Sequence, residues 1–201
     1  MRTIIARYSI DLRLLEDILL GVESDLTPAR FPTFRELSEY CYRVASAVGL
    51  VSIEIFEYGS PVCRDYARYL GTAPQLTNIV RDVETDLKNG ERIYLPLNEL
   101  AQFGYSENDL IRRVYDQRFL ALIQHQAARA RDFFHNADMT LPREDRHSML
   151  PARMMHQIYF GLLKQIERDR FRMFWKRYRL SKLEKIMMIL PSAMPRWWPW
   201  R

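Results

Sequence analysis

The chain has 201 residues, of which 48% are hydrophobic and 27% are charged, and this balance excludes a disordered, collagen-like or low-complexity protein. Its two cysteines are too few for a disulfide framework or a zinc finger, so we expect a cytoplasmic protein in a reducing compartment. The net charge of +5 favours anionic partners, which include phosphorylated small molecules, nucleic acids and anionic membrane surfaces.

Helical periodicity runs through the whole sequence and period-2 alternation is nearly absent, which predicts an all-α fold. A capping box at Thr33 and Glu36 starts one of the helices, and Asn89-Gly90 ends the next. We assign residues 1–190 to one helical domain and 191–201 to a basic, Trp-rich tail. The predicted helices cover residues 9–24, 34–56, 62–88, 107–113, 115–137, 151–169 and 180–189, with a short helical turn between Pro96 and Phe103.

The segment with the clearest chemistry is the second half of the predicted helix 62–88. At about 100° per residue, Gln75, Asn78, Asp82 and Asp86 fall on one face, beside an apolar face. Two carboxylates one turn apart can hold Mg²⁺ together with substrate phosphates. The alternative is an ordinary solvated face, although such faces usually carry Lys and Glu rather than amides.

The C-terminal tail combines basic residues with Trp197, Trp198 and Trp200. This composition is typical of contact with an anionic membrane interface, and a poorly ordered tail is an equally good interpretation. We therefore expect peripheral contact at the inner face of the membrane as one alternative. A helical nucleic-acid binder rests on net charge alone, so we expect no nucleic-acid partner.

Three ordered motifs resemble those of the squalene/phytoene synthase family, the head-to-head prenyltransferases. The first extends from Gln75 to Pro96 and is similar to the family's second aspartate-rich motif, with its Tyr-Leu-Pro extension. The second is Tyr40 to Gly49, and the third is Gly21 to Leu26. The resemblance implies an isoprenoid-synthase-type helical bundle around a central cavity.

Within the family, Leu141 to Met149 resembles the hopanoid-pathway branch. The resemblance therefore implies a farnesyl-diphosphate farnesyltransferase that makes presqualene diphosphate from two farnesyl diphosphates with Mg²⁺. A phytoene synthase that uses geranylgeranyl diphosphate is the alternative. The family's first aspartate-rich motif has no counterpart here, so we expect an N-terminally truncated member with missing N-terminal helices and impaired turnover. Glu91 also separates Gly90 from Arg92, which the family usually has adjacent.

The resemblance also implies a role for individual residues. Tyr40, Asp25 and Tyr159 are the catalytic candidates, although Tyr40 alone would more often be a core tyrosine. Small and branched side chains on the face of Tyr40 would line a tunnel for the prenyl tail, or would simply pack against another helix. The implied metal ligands are Asp82, Asp86 and Asn78; the diphosphate-binding residues are Gln75, Asn78, Arg81 and Arg92; and the tunnel residues are Val44, Ala47 and Val48.

A rival hypothesis is a catalytically silent relative that acts as an assembly protein. The missing first motif favours this reading, whereas the intact stripe of Asn78, Asp82 and Asp86 favours the enzyme. The sequence makes no prediction of oligomeric state.

Overall fold

The computed structural model describes residues 2–193, and within that part of the chain it contains helices and no β-strand, only an isolated bridge between Arg30 and Ile93. The all-α prediction is confirmed. The helices are α1 (Arg2–Arg7), α2 (Leu12–Ser24), α3 (Phe34–Cys41), a π turn (Tyr42–Ser46), α4 (Ala47–Phe56), α5 (Cys63–Lys88), α6 (Leu97–Gln102), α7 (Glu107–Ile111), α8 (Gln117–Thr140), a 3₁₀ turn (Glu144–Arg146), α9 (Leu150–Arg168) and α10 (Lys182–Ala193).

Helix α5 is the centre of the bundle, and it packs against α3, the π turn, α4, α8 and α9. Its central position explains why more than half of its residues are buried, among them Ala73, Val80 and the hydroxyl-bearing Thr77. Thr77 satisfies its hydroxyl within the helix by donating to the carbonyl of Ala73 at 2.9 Å. Side chains on α5 are therefore held on a rigid, tightly packed element.

The π turn packs closely against both α5 and α2. An ideal Cβ on Gly71 of α5 would lie 2.6 Å from the Cα of Ser46, and one on Gly21 of α2 would lie 2.9 Å from the Cβ of Arg43. Both positions therefore require glycine because the backbones leave no room for a side chain. The buried hydroxyls of Ser46 and Thr72 pair across this junction at 3.0 Å.

Most predicted helices agree with the structure to within a few residues. Thr33 and Glu36 form the predicted capping box at the start of α3. The first predicted helix begins later than expected because Asp11 caps α2, and α1 was not predicted. Helix α10 continues to Ala193, and the remaining tail, which includes Trp197, Trp198 and Trp200, lies outside the described residues. Among the described helices, none is both long enough and apolar enough to cross a membrane.

Candidate active site

The predicted polar stripe lies on one side of α5, as the helical spacing required. Arg81 donates through Nε to Oδ1 of Asp82 at 2.8 Å, and a second bond joins its Nη2 to Oδ2 of Asp82. This pairing raises the pKa of Arg81, so the guanidinium stays charged. The Oδ1 atom of Asn78 is buried and has no hydrogen-bond partner among the described residues. The stripe thus presents one paired carboxylate and one unsatisfied amide oxygen.

Asp86 is the second carboxylate of the stripe. Burial, and next the negative charge of Asp82, raise its pKa to about 7, against the lowering influence of Arg92 and Arg81. The backbone N–H of Arg92 donates to the carbonyl of Asp86 at 3.1 Å, which brings the two residues together after the turn at Gly90. The burial and the neighbouring negative charge that raise this pKa favour a cation beside the Asp86 carboxylate.

Asp25 organises a second part of the site, at the C-terminal end of α2. Its Oδ1 accepts hydrogen bonds from the hydroxyls of Tyr40 at 2.9 Å and Tyr94 at 3.2 Å, and its carbonyl accepts one from Arg92 at 2.6 Å. The rings of Tyr40 and Tyr94 are 5.4 Å apart, and Phe31 packs against both. Burial raises the pKa of Tyr40, which keeps its hydroxyl protonated. Tyr94 was not predicted as a site residue because only the fold brings it to Asp25.

An apolar cavity of about 380 Å³ lies between α4, α5 and α9. Its walls are mostly aliphatic and aromatic, and its polar residues include Gln75 and Asn78 from the stripe. The predicted tunnel residues Val44 and Val48 line it. Its lining also includes Ala45, Gly49, Ser52, Ile53, Phe56, Tyr66, Ala67, Leu70, Gly71, Pro74, Pro151, Ala152, Met155 and Tyr159.

Ala47, the third predicted tunnel residue, does not line this cavity. The π turn adds a residue to one helical turn, so positions after it rotate relative to an uninterrupted α-helix. Ala47 is turned into the core and is fully buried, and Ala45 and Gly49 take its place in the cavity wall. Tyr40 does not line the cavity either; it belongs to the cluster around Asp25.

A basic cleft of about 420 Å³ lies on the other side of Tyr159. Arg81 lines it together with three residues that follow α9, namely Arg177, Arg179 and Lys185. Tyr159 lines both the cleft and the apolar cavity, so it lies at their junction. The three later residues were not predicted as site residues. The density of positive charge between Lys176 and Lys185 was the available signal.

The donor set of the stripe suits a hard cation that is shared with a phosphorylated ligand. Asp82, Asp86 and the unsatisfied Oδ1 of Asn78 offer oxygen atoms only, which Mg²⁺ prefers. Among the described residues, no group of three or more His, Cys, Asp or Glu side chains is arranged to hold a metal by itself. Because Mg²⁺ commonly takes one or two carboxylates and completes its shell with water and substrate phosphates, these residues fit it.

A family model for squalene/phytoene synthase matches residues 1–184. The chain is 39% identical to the 15-cis-phytoene synthase of Synechococcus elongatus, over 96% of this chain and 66% of the relative. It is 35% identical to the 15-cis-phytoene synthase of Synechocystis, over 92% of this chain and 58% of the relative. It is 36% identical to the chloroplastic phytoene synthase 1 of Zea mays, over 94% of this chain and 47% of the relative. The chain therefore spans less than two thirds of the length of these relatives.

Two solved structures have the same fold. A dehydrosqualene synthase in complex with ligand superposes with a TM-score of 0.78 and 26% identity, over 92% of this chain and 65% of that one. The squalene synthase HpnC from Alicyclobacillus acidocaldarius superposes with a TM-score of 0.75 and 22% identity, over 83% of this chain and 63% of that one. The arrangement of the helices is thus shared with these two proteins.

Proposed function

The chain belongs to the squalene/phytoene synthase family, and on that premise we propose that it binds both the diphosphate and the apolar tail of the substrate of a head-to-head prenyltransferase. The observation that carries this proposal is the junction at Tyr159. There, an apolar cavity with Asn78 and Gln75 in its wall meets a cleft lined by Arg81, Arg177, Arg179 and Lys185. An amphiphile with an anionic head and a long apolar tail fits both compartments at once.

The substrate class we propose is the prenyl diphosphates, with geranylgeranyl diphosphate ahead of farnesyl diphosphate. The three curated relatives named above are phytoene synthases, which supports the phytoene reading over the presqualene reading that the sequence first favoured. The dehydrosqualene and squalene synthases support the fold.

Different residues of the site bind the diphosphate, the metal ion and the apolar tail. Arg81, Arg177, Arg179 and Lys185 bind phosphate oxygens and stabilise the charge that develops as the diphosphate leaves. Asp82, Asp86 and Asn78 would hold Mg²⁺, which supplies further positive charge at the leaving group. Gln75 donates hydrogen bonds to the diphosphate, and the apolar cavity excludes water from the reacting carbon.

The cluster around Asp25 has a supporting role in this proposal. Asp25 fixes the side chain of Arg92 through its carbonyl and the hydroxyls of Tyr40 and Tyr94 through its carboxylate. Since Arg92 lies beside Asp86, the cluster orients the end of the polar stripe. Tyr159, at the junction, is the residue we expect to touch the reacting centre, where its ring faces developing positive charge.

Product analysis tests the proposal. The protein is incubated with Mg²⁺ and either geranylgeranyl or farnesyl diphosphate, and the extracted products are identified by mass spectrometry. Because impaired turnover is expected of this chain, we expect phytoene from the C20 substrate in low yield. The Tyr159→Ala variant is expected to give at least tenfold less. If only the C15 substrate reacts, the phytoene reading is wrong. If neither substrate reacts or binds, the prenyltransferase hypothesis is wrong and the hypothesis of a catalytically silent assembly protein is favoured.

A further inference from the structure

Helix α2 presents apolar side chains on two different faces. A surface helix usually carries a single apolar stripe, which faces the core. On α2 that face holds Leu14 and Gly21, which are buried against the rest of the protein. A second face carries further aliphatic side chains, and we call its five residues the seam: Leu12, Leu15, Leu19, Val22 and, just beyond the end of the helix, Leu26.

The seam has the spacing of a coiled-coil contact and is not covered. Its successive members are alternately three and four residues apart, which is the repeat of 3.5 residues at which two helices stay in contact. Leu12 is 56%, Leu19 69%, Val22 58% and Leu26 82% exposed, so the described part of the chain leaves this stripe open. A contiguous exposed apolar stripe marks a contact surface rather than a solvated face.

Two carboxylates border the seam on one side. Glu16 and Glu23 are seven residues apart, so they lie one above the other beside the seam, and both are exposed. Neither forms an ion pair with another residue of the described part of the chain. Charged side chains that flank an apolar seam determine which helix can pair with it. Lys or Arg on a partner helix would pair with both carboxylates, whereas Asp or Glu would be repelled.

The same charges disfavour a second copy of α2 as the partner. Antiparallel pairing of two α2 helices places the flank with Glu16 and Glu23 against the identical flank of the other copy. Parallel pairing places it against the opposite flank, which carries Ile18 and Asp25. Neither arrangement brings a positive charge to the two carboxylates, so the seam is complementary to a different helix.

We propose that the seam docks an amphipathic helix of a separate polypeptide, which presents an apolar repeat of 3.5 residues and has Lys or Arg on the flank that faces Glu16 and Glu23. Fourteen residues separate Leu12 from Leu26, which is a helical rise of about 21 Å. A partner helix of about four turns covers this length. The proposal is independent of the prenyl diphosphate that we propose as substrate.

Fluorescence anisotropy with two designed helical peptides of about 18 residues tests the proposal. Both peptides carry Leu at the seam positions; one has Lys and the other has Glu at the flanking positions. We expect the parent chain to bind the Lys peptide at least tenfold more tightly than the Glu peptide. Leu19→Gln is expected to weaken binding of the Lys peptide at least tenfold. Leu183→Gln on α10 is the matched control, since Leu183 is also 69% exposed, and it is expected to bind within twofold of the parent.

A charge exchange tests the selection of the partner. Glu16→Lys/Glu23→Lys is expected to reverse the order of the two peptides. Asp132→Lys/Glu144→Lys changes the net charge by the same amount on α8 and the 3₁₀ turn, and it is expected to keep the order of the parent. Circular dichroism verifies that each variant is folded.

The remaining outcomes would overturn the proposal. If neither peptide binds to the parent, the seam is not a docking surface. If both peptides bind equally, or if the charge exchange leaves their order unchanged, the carboxylates do not select a basic partner. If analytical ultracentrifugation shows that the parent is a dimer which Leu19→Gln dissociates, a second copy occupies the seam and the separate polypeptide is wrong.

Discussion

Replacing Asp86 by Asn is expected to stabilise the metal-free protein, because Asp86 is a carboxylate placed for binding rather than for folding. Burial and the neighbouring Asp82 raise its pKa from 3.8 to about 7. A raised carboxyl pKa means that the ionised form opposes folding. The free-energy penalty that the ionised Asp86 places on folding begins as the pH rises above 3.8, grows to about pH 7 and is constant above that. Asn is neutral at every pH and therefore removes this penalty.

The size of the effect follows from the shift. One pKa unit corresponds to about 1.4 kcal/mol, so the full shift of Asp86 corresponds to roughly 4 kcal/mol. Solvent screens part of this because the side chain is only half-buried, and we expect a gain of about 2 kcal/mol at pH 8. At pH 5 most of the penalty is absent in the parent, so the gain shrinks to below about 1 kcal/mol.

Urea denaturation in EDTA at pH 5 and pH 8 measures this gain. The control is Asp65→Asn, a carboxylate on the same helix that is 58% exposed and pairs with Arg68 at the surface, which we expect to change stability by less than about 0.5 kcal/mol at either pH. Mg²⁺ with inorganic diphosphate is expected to stabilise the parent more than Asp86→Asn. If the variant is no more stable than the parent at pH 8, or if its gain does not depend on pH, the reasoning about Asp86 is refuted.

Three further predictions concern packing, the 3₁₀ turn and the basic cleft. Gly71→Ala is expected to lower the free energy of unfolding by about 1–3 kcal/mol, because the added Cβ would overlap the backbone of Ser46. Gly161→Ala meets only the flexible end of Met188 and is expected to raise the free energy of unfolding by up to about 1 kcal/mol. Equal changes of the melting temperature in the two variants would contradict this. The Asp145 carboxylate accepts hydrogen bonds from two backbone N–H groups, and these bonds outweigh the effect of burial and lower its pKa. Urea titrations should therefore show that Asp145→Asn lowers the free energy of unfolding by about 1.5–3 kcal/mol at pH 7. The difference between variant and parent should become smaller as the pH falls below 3.8. Arg177→Gln should weaken Mg²⁺-diphosphate binding at least fivefold by calorimetry, and an unchanged affinity would exclude the cleft as the phosphate site.

The sequence predicted the local features of this molecule well. The carboxylate stripe on α5 depends only on helical spacing, and the capping box at Thr33 depends on residues three positions apart. Both are encoded within a few turns of chain. The extent of α5 from Cys63 to Lys88 was also readable, because its breakers lie directly at its ends.

Features that depend on tertiary packing were not predictable in the same way. The π turn has no sequence signal that separates it from an α-helix. Ala47, which follows it directly, is buried in the core and does not line the cavity. The bond between Tyr94 and Asp25 joins residues that are 69 positions apart. The cleft formed by Arg81 with Arg177 likewise requires the chain after α9 to return to α5.

The central claim is that the stripe on α5 binds a prenyl diphosphate together with Mg²⁺. The most direct measurement is calorimetry of geranylgeranyl thiolodiphosphate binding to the parent chain and to the Asp82→Asn/Asp86→Asn double variant, each with Mg²⁺ and with EDTA. We predict binding by the parent in Mg²⁺, at least tenfold weaker binding in EDTA, and the same loss in the double variant whether or not Mg²⁺ is present. Equal affinity of parent and double variant in Mg²⁺ would contradict the account.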